Sequence, residues 1–142
     1  MTDKKLAFAT LAGASAGFIM EVVLYGVLLA DFFAANAGSA RGVNREEPNL
    51  VIMALGQIPL ALLLVLFIRR RENSSSMASG ARLGAMFGLL LELGVDLTMY
   101  STTNIANLTA TLVDPFVTLV QGAVTGAVIG LVLGWVRETA AA

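Results

Sequence analysis

Residues 83–100 read LGAMFGLLLELGVDLTMY, an apolar run interrupted by two carboxylates, Glu92 and Asp96, and by no basic side chain. At 1.5 Å of rise per residue an α-helix of this length covers ~27 Å, close to the ~30 Å hydrocarbon core of a bilayer. Three further runs of similar character flank it, at 6–30, 50–68 and 114–136. Of the 142 residues 57% are hydrophobic and 13% charged, and the mean hydropathy is +0.81. Soluble domains are roughly 45–50% apolar and about 25% charged. Lipid is therefore the expected solvent, and the expected architecture is all-α: a polytopic membrane four-helix bundle forming one domain over 1–142.

Punctuation agrees with this division. Ser79 is placed to cap the third helix, Asp114-Pro115 reads as an N-cap followed by proline at the first helical position, and Glu47-Pro48 opens the second helix in the same way. Lys4, Lys5, Arg69, Arg70, Arg71, Arg82 and Arg137 fall on one side of the four spans, and Arg41 and Arg45 on the other. By the positive-inside rule both termini and the 69–82 connection face the cytoplasm, as expected of a protein in a bacterial inner membrane. Ala35-Asn36-Ala37 loosely imitates a secretory cleavage site after the first run. That run is too long for a signal-peptide core and carries Glu21, so it is read as a retained span. The polar stretch 71–76 is the expected joint between two hairpins.

The first and third spans share a pattern at an offset of 71 residues: Gly13-Ala14-x-x-Gly17-x-x-x-Glu21 against Gly84-Ala85-x-x-Gly88-x-x-x-Glu92. Gln57 and Gln121 are a fainter echo in the even-numbered spans. Two parallel-repeat hairpins related by a pseudo-two-fold axis along the membrane normal are expected. Residues four apart lie near one another on a helix. The stripe Gly13, Gly17, Glu21, Tyr25 on the first span, and Gly84, Gly88, Glu92, Asp96, Tyr100 on the third, is therefore small in its inner half and polar in its outer half. The fourth span carries Gly122, Gly126, Gly130 and Gly134, continuing outward through Thr118 to Asp114. Rows of small residues let helix backbones approach closely, the main route to helix association in lipid, so these glycines are assigned to packing.

Glu21 and Glu92 lie ~12 Å along the helix from Gly13 and Gly84, near mid-membrane. No Lys or Arg falls within the four runs, and an ionised, unpaired carboxylate at that depth costs at least about 2.5 kcal/mol. Either the acids carry protons or they share a bound cation. On the functional side, Glu21, Glu92, Asp96, Tyr25, Gln57 and Gln121 form a proton or cation site opening outward past Asp31, Asn104, Asn107 and Asp114. On the structural side, protonated Glu21 and Glu92 donate hydrogen bonds between helices, and Asp114 is an N-cap. Tyr100 and Trp135 sit at span ends, where aromatic belts occur.

The chain has no Cys and no His, which removes disulfides, thiolate and imidazole metal ligands, Cys nucleophiles and His-based triads. No enzymatic activity, cofactor or nucleic-acid partner is expected. The expected partners are membrane lipids and either further copies of the chain or a larger membrane complex. The outer ends of the first and third spans, 29–38 and 96–104, resemble small bacterial four-span membrane proteins of the DUF1761-like group, a likeness that extends over most of the chain and brings no activity or site residue with it. The proteolipid c subunits of rotary ATPases are also small, glycine-rich and carboxylate-bearing, but their essential acid lies on even-numbered helices. Two functions stay open: proton- or cation-binding transport, and a non-catalytic accessory or assembly role.

Overall fold

A computed structural model of the chain describes residues 3–70 and 76–138. Helix α1 (Asp3–Glu21) runs on through a π-helical segment, Val22–Leu28, into the short α2 (Ala30–Ala35). Three long helices follow: α3 (Leu50–Arg69), α4 (Met77–Thr102) and α5 (Leu108–Glu138). Among the described residues four helices are long and apolar enough to cross a membrane: α1 with its π-helical extension, α3, α4 and α5. Their outward faces are apolar as well. Val27 and Val51 are each 69% exposed, an arrangement that water would penalise and lipid would not. The protein is an all-α, multi-pass membrane protein.

The helix starts differ from the expected ones for local reasons. Asn49, not Glu47-Pro48, caps α3, its side chain accepting from the Ile52 N–H at 3.1 Å. Ser76 caps α4 as part of a reciprocal box in which Ser79 is the third helical residue, so α4 begins well before residue 83. Asn107 opens α5: its Oδ1 accepts from the Ala110 N–H at 3.0 Å, and its own N–H donates to the Asn36 carbonyl at 3.1 Å. Asp114 and Pro115 consequently lie inside α5 rather than at its start. Pro115 deprives the Thr111 carbonyl of its usual helical donor, a loss the long helix tolerates. Of the connection expected to act as a joint, residues 71–75 lie outside the described residues.

Helix α5 is the organising element. It packs along α4 and crosses α1, which in turn packs on α3, while α3 and α4 barely meet. The α4–α5 seam is a ladder of backbone contacts. A Cβ added at Gly84 would sit 2.0 Å from the Gly122 carbonyl oxygen, and one at Gly126 would sit 2.2 Å from that of Gly80. Side chains are excluded there, and close backbone approach supplies the dispersion that holds helices together in lipid. The α1 contact is looser, Gly13 facing the Ile129 side chain and Ala61, and Gly17 facing Gln57 and Thr125. Gly134 is half-buried beyond the ladder. The two hairpins are thus packed unequally, α4 with α5 far more extensively than α1 with α3.

The dry core lies at the Lys/Arg-rich end. Ala9, Leu64, Val65, Ile68, Leu83, Ile129 and Leu133 form one buried cluster there, drawn from the start of α1, the end of α3, the start of α4 and the end of α5. The opposite end is tied down by polar backbone. Gly38 N–H donates to the Ile105 carbonyl at 2.8 Å and Ala40 N–H to the Asn104 carbonyl at 3.0 Å, so the segment after α2 pairs with the α4–α5 turn. One end of the bundle is sealed by apolar packing, and the polar groups gather toward the other.

Candidate functional site

The glycine ladder dictates where the acids meet. Gly80 faces Gly126, Gly84 faces Gly122 and Gly88 faces Thr118, so each step of four along α4 matches a step of four back along α5. One more step sets Glu92 opposite Asp114, and Asp96 follows one turn beyond on the same α4 stripe. One carboxylate oxygen from each of Glu92, Asp96 and Asp114 lies within 4.8 Å of the other two. Asp96 Oδ2 is buried and has no hydrogen-bond partner among the described residues.

Tyr25 joins from α1. Its hydroxyl donates to Asp114 Oδ1, and its ring stacks against Phe33 with centroids 5.2 Å apart. Tyr25 stands in the π-helical segment, where the Leu29 N–H reaches back five residues to the Leu24 carbonyl at 2.8 Å. Such wide turns re-aim the residues that follow and recur at functional sites. Here the turn lies between Glu21 and α2, and Tyr25 within it reaches α5.

Glu21 has a different neighbour. Gln121, 8% exposed, donates from Nε2 to Glu21 Oε2 at 2.9 Å and to the Gly17 carbonyl at 3.2 Å. Gln57 Oε1 crowds the other side of Gly17. Glu21 and Glu92 therefore differ in their immediate neighbours. Each takes a partner from α5, Gln121 for Glu21 and Asp114 for Glu92. They line one cavity of about 280 Å³ together with Gln57, Gln121 and Thr125.

The expected outer entrance is only partly realised. Asp114 belongs to the acidic cluster itself. Asn107 is a helix cap whose Nδ2 also donates to Asn36 Oδ1 at 3.0 Å, Asn104 is exposed and contributes its backbone carbonyl to the outer pairing, and Asp31 is exposed in the first turn of α2. A second cavity, about 250 Å³, is bordered by Asp96 and Asp114 and by Asn36, Asn44 and Thr103. The carboxylate cluster stands between these two cavities, Glu92 on the one nearer the Lys/Arg-rich end, Asp96 and Asp114 on the other.

Three carboxylates at this spacing, without a Lys or Arg in the surrounding spans, cannot all be ionised and alone. They either hold protons or surround a hard cation that prefers oxygen ligands, and if a metal binds, Glu92, Asp96 and Asp114 are its ligands. Fold and site together define a multi-pass membrane protein with a half-buried carboxylate cluster. No protein-family model, curated protein or solved structure matches the chain, so its function is argued from this geometry.

Proposed function

We propose that the protein binds protons or a metal cation at Glu92, Asp96 and Asp114 and moves them across a bacterial inner membrane. One observation carries this: the three carboxylates converge within 4.8 Å, with no Lys or Arg in the surrounding spans, between two cavities. Tyr25 orients Asp114, and Glu21 with Gln121 continues the line of exchangeable polar groups into the cavity nearer the Lys/Arg-rich end. Leu64, Ile68, Leu83 and Ile129 are packed in a buried apolar cluster at the Lys/Arg-rich end, and on this reading transport requires that this core loosen. A homo-oligomer supplies the stable surroundings for that motion.

Proteoliposomes test the activity. Purified protein is expected to carry protons, read by an entrapped pH dye, or Mn2+ into the vesicles faster than protein-free controls. Rates equal to the controls for both ions would remove the transport assignment.

Orientation is checked separately, using the absence of native cysteine. In intact cells an impermeant maleimide is expected to label Ser39→Cys. Lys4→Cys is expected to react only after the membrane is opened, because Lys4, Lys5, Arg69 and Arg70 mark the cytoplasmic end. The reverse labelling pattern would invert the topology.

A further inference from the structure

The cavity lined by Glu21 and Glu92 has a feature that a bare proton or metal site does not need. One side of it is apolar and lies between α3 and α4, the two spans that barely meet. Leu60 on α3 and Leu91 on α4 stand at that side, 44% and 41% exposed, so the cavity opens sideways toward the acyl chains. Phe87 continues the apolar wall, and its contact with Phe67, ring centroids 6.4 Å apart, closes the inner edge of the opening.

The same cavity is also lined by polar, acceptor-rich groups: the Glu21 and Glu92 carboxylates, the Gln57 amide and the hydroxyl of Thr125. Thr125 is 8% exposed and its Oγ1 has no hydrogen-bond partner among the described residues. This is not a general habit of helical threonines in the chain: Thr10, Thr98, Thr111 and Thr118 each donate to the carbonyl four residues earlier. A buried hydroxyl left unpaired is destabilising, a penalty removed when a bound group supplies the partner.

We propose that this cavity takes up a protonated lipophilic amine from the membrane through the gap between α3 and α4. Its N–H groups donate to Glu21, Glu92 and Thr125, and its hydrocarbon part lies against Leu60, Phe87 and Leu91. The volume, about 280 Å³, is near the small end of ligand sites, ~300 Å³, and suits an amine carrying one ring or a short alkyl chain. A divalent metal finds no ligands on the apolar wall, and a neutral alcohol of the same shape lacks the charge that two carboxylates favour. The inference rests on the proposed role of the carboxylates as cation acceptors and names an organic cation as their cargo.

Equilibrium dialysis of the purified full-length protein with radiolabelled 2-phenylethylammonium tests it, with 2-phenylethanol as the neutral control and Mn2+ uptake measured on the same preparations. Saturable binding of the amine is expected, at least about tenfold tighter than the alcohol, the ratio that one charge-assisted hydrogen bond supports. Thr125→Val, which keeps the shape, is expected to weaken amine binding about fivefold or more, and Leu91→Trp, which narrows the opening, to weaken it while Mn2+ uptake persists. Equal binding of amine and alcohol, or wild-type amine affinity in Thr125→Val, would overturn the inference. Absence of amine binding with Mn2+ or proton uptake intact would overturn it alone, whereas absence of all three would overturn the transport assignment too.

Discussion

Gly84→Leu is expected to abolish the folded bundle. A Cβ at this position falls 2.0 Å from the Gly122 carbonyl oxygen and 2.9 Å from the Gly126 Cα. Both are backbone atoms, so no rotamer change relieves the clash and the two helices must move apart. Overpacking of a tight interior costs about 1–3 kcal/mol even where side chains are able to adjust. A whole leucine against a backbone seam lies at or above the top of that range. The seam also sets the register that brings Glu92 to Asp114, so the acidic cluster disperses with it. Gly94→Ala is the control: nothing lies within 4 Å of a Cβ there, and replacing glycine by alanine inside a helix gains up to about 1 kcal/mol. Thermal unfolding in detergent, followed by circular dichroism, is expected to show early loss of helix for Gly84→Leu and an unchanged or raised midpoint for Gly94→Ala. Equal midpoints would mean that the glycine ladder does not hold the bundle.

Glu92→Gln is expected to keep the fold and lose cation binding. The substitution preserves size and hydrogen-bonding capacity but removes the charge central to the cluster, the one that borders both the Asp96–Asp114 group and the cavity nearer the Lys/Arg-rich end. A contact between a charged group and its partner is worth about 1.5–3 kcal/mol, so affinity is expected to fall at least about tenfold. Protons and metal ions compete for the same carboxylates, so metal binding by the wild type is expected to weaken as the pH is lowered. Asp31→Asn, on an exposed side chain outside the cluster, is expected to change neither quantity. Isothermal titration with Mn2+ at several pH values reads all three. Wild-type affinity in Glu92→Gln would place the cation elsewhere.

The spans, their number and the helical class were legible because the chain's polar residues are confined to short stretches between long apolar runs, and lipid imposes one length on every run. The stripes were legible too: Gly84, Gly88, Glu92 and Asp96 on one helix, and Gly122 through Thr118 to Asp114 on another, each follow the four-residue interval. Setting those two stripes face to face in antiparallel register places Asp114 against Glu92, and the sequence holds that signal. It was masked by a competing one, since an aspartate before a proline is a good helix start. Asn107 prevailed because it caps the helix with its side chain and is also held by Asn36, which roots α5 two turns earlier.

The matching motifs around Glu21 and Glu92 suggested equal environments, but local likeness does not determine tertiary partners. Helix α5 runs past both and presents Gln121 to one and Asp114 to the other. The π-helical turn was illegible for a different reason. Val22–Leu28 has no proline or other breaker beyond Gly26, and wide turns arise from tertiary fit rather than from local preference. The near absence of contact between α3 and α4, which opens the inner cavity, likewise depends on how four helices share one seam.

On the proposed function, Glu92, Asp96 and Asp114 form one exchangeable cation site inside the membrane. Difference infrared spectroscopy of the protein in lipid, with and without Mn2+, reads it directly, because protonated and ionised carboxyl groups absorb in separate bands. Addition of Mn2+ is expected to remove protonated-carboxyl intensity and to release protons into the medium, and both changes are expected to vanish in Glu92→Gln/Asp96→Asn/Asp114→Asn. A wild-type spectrum indifferent to both metal and pH, or the same response in the triple variant, would contradict the assignment.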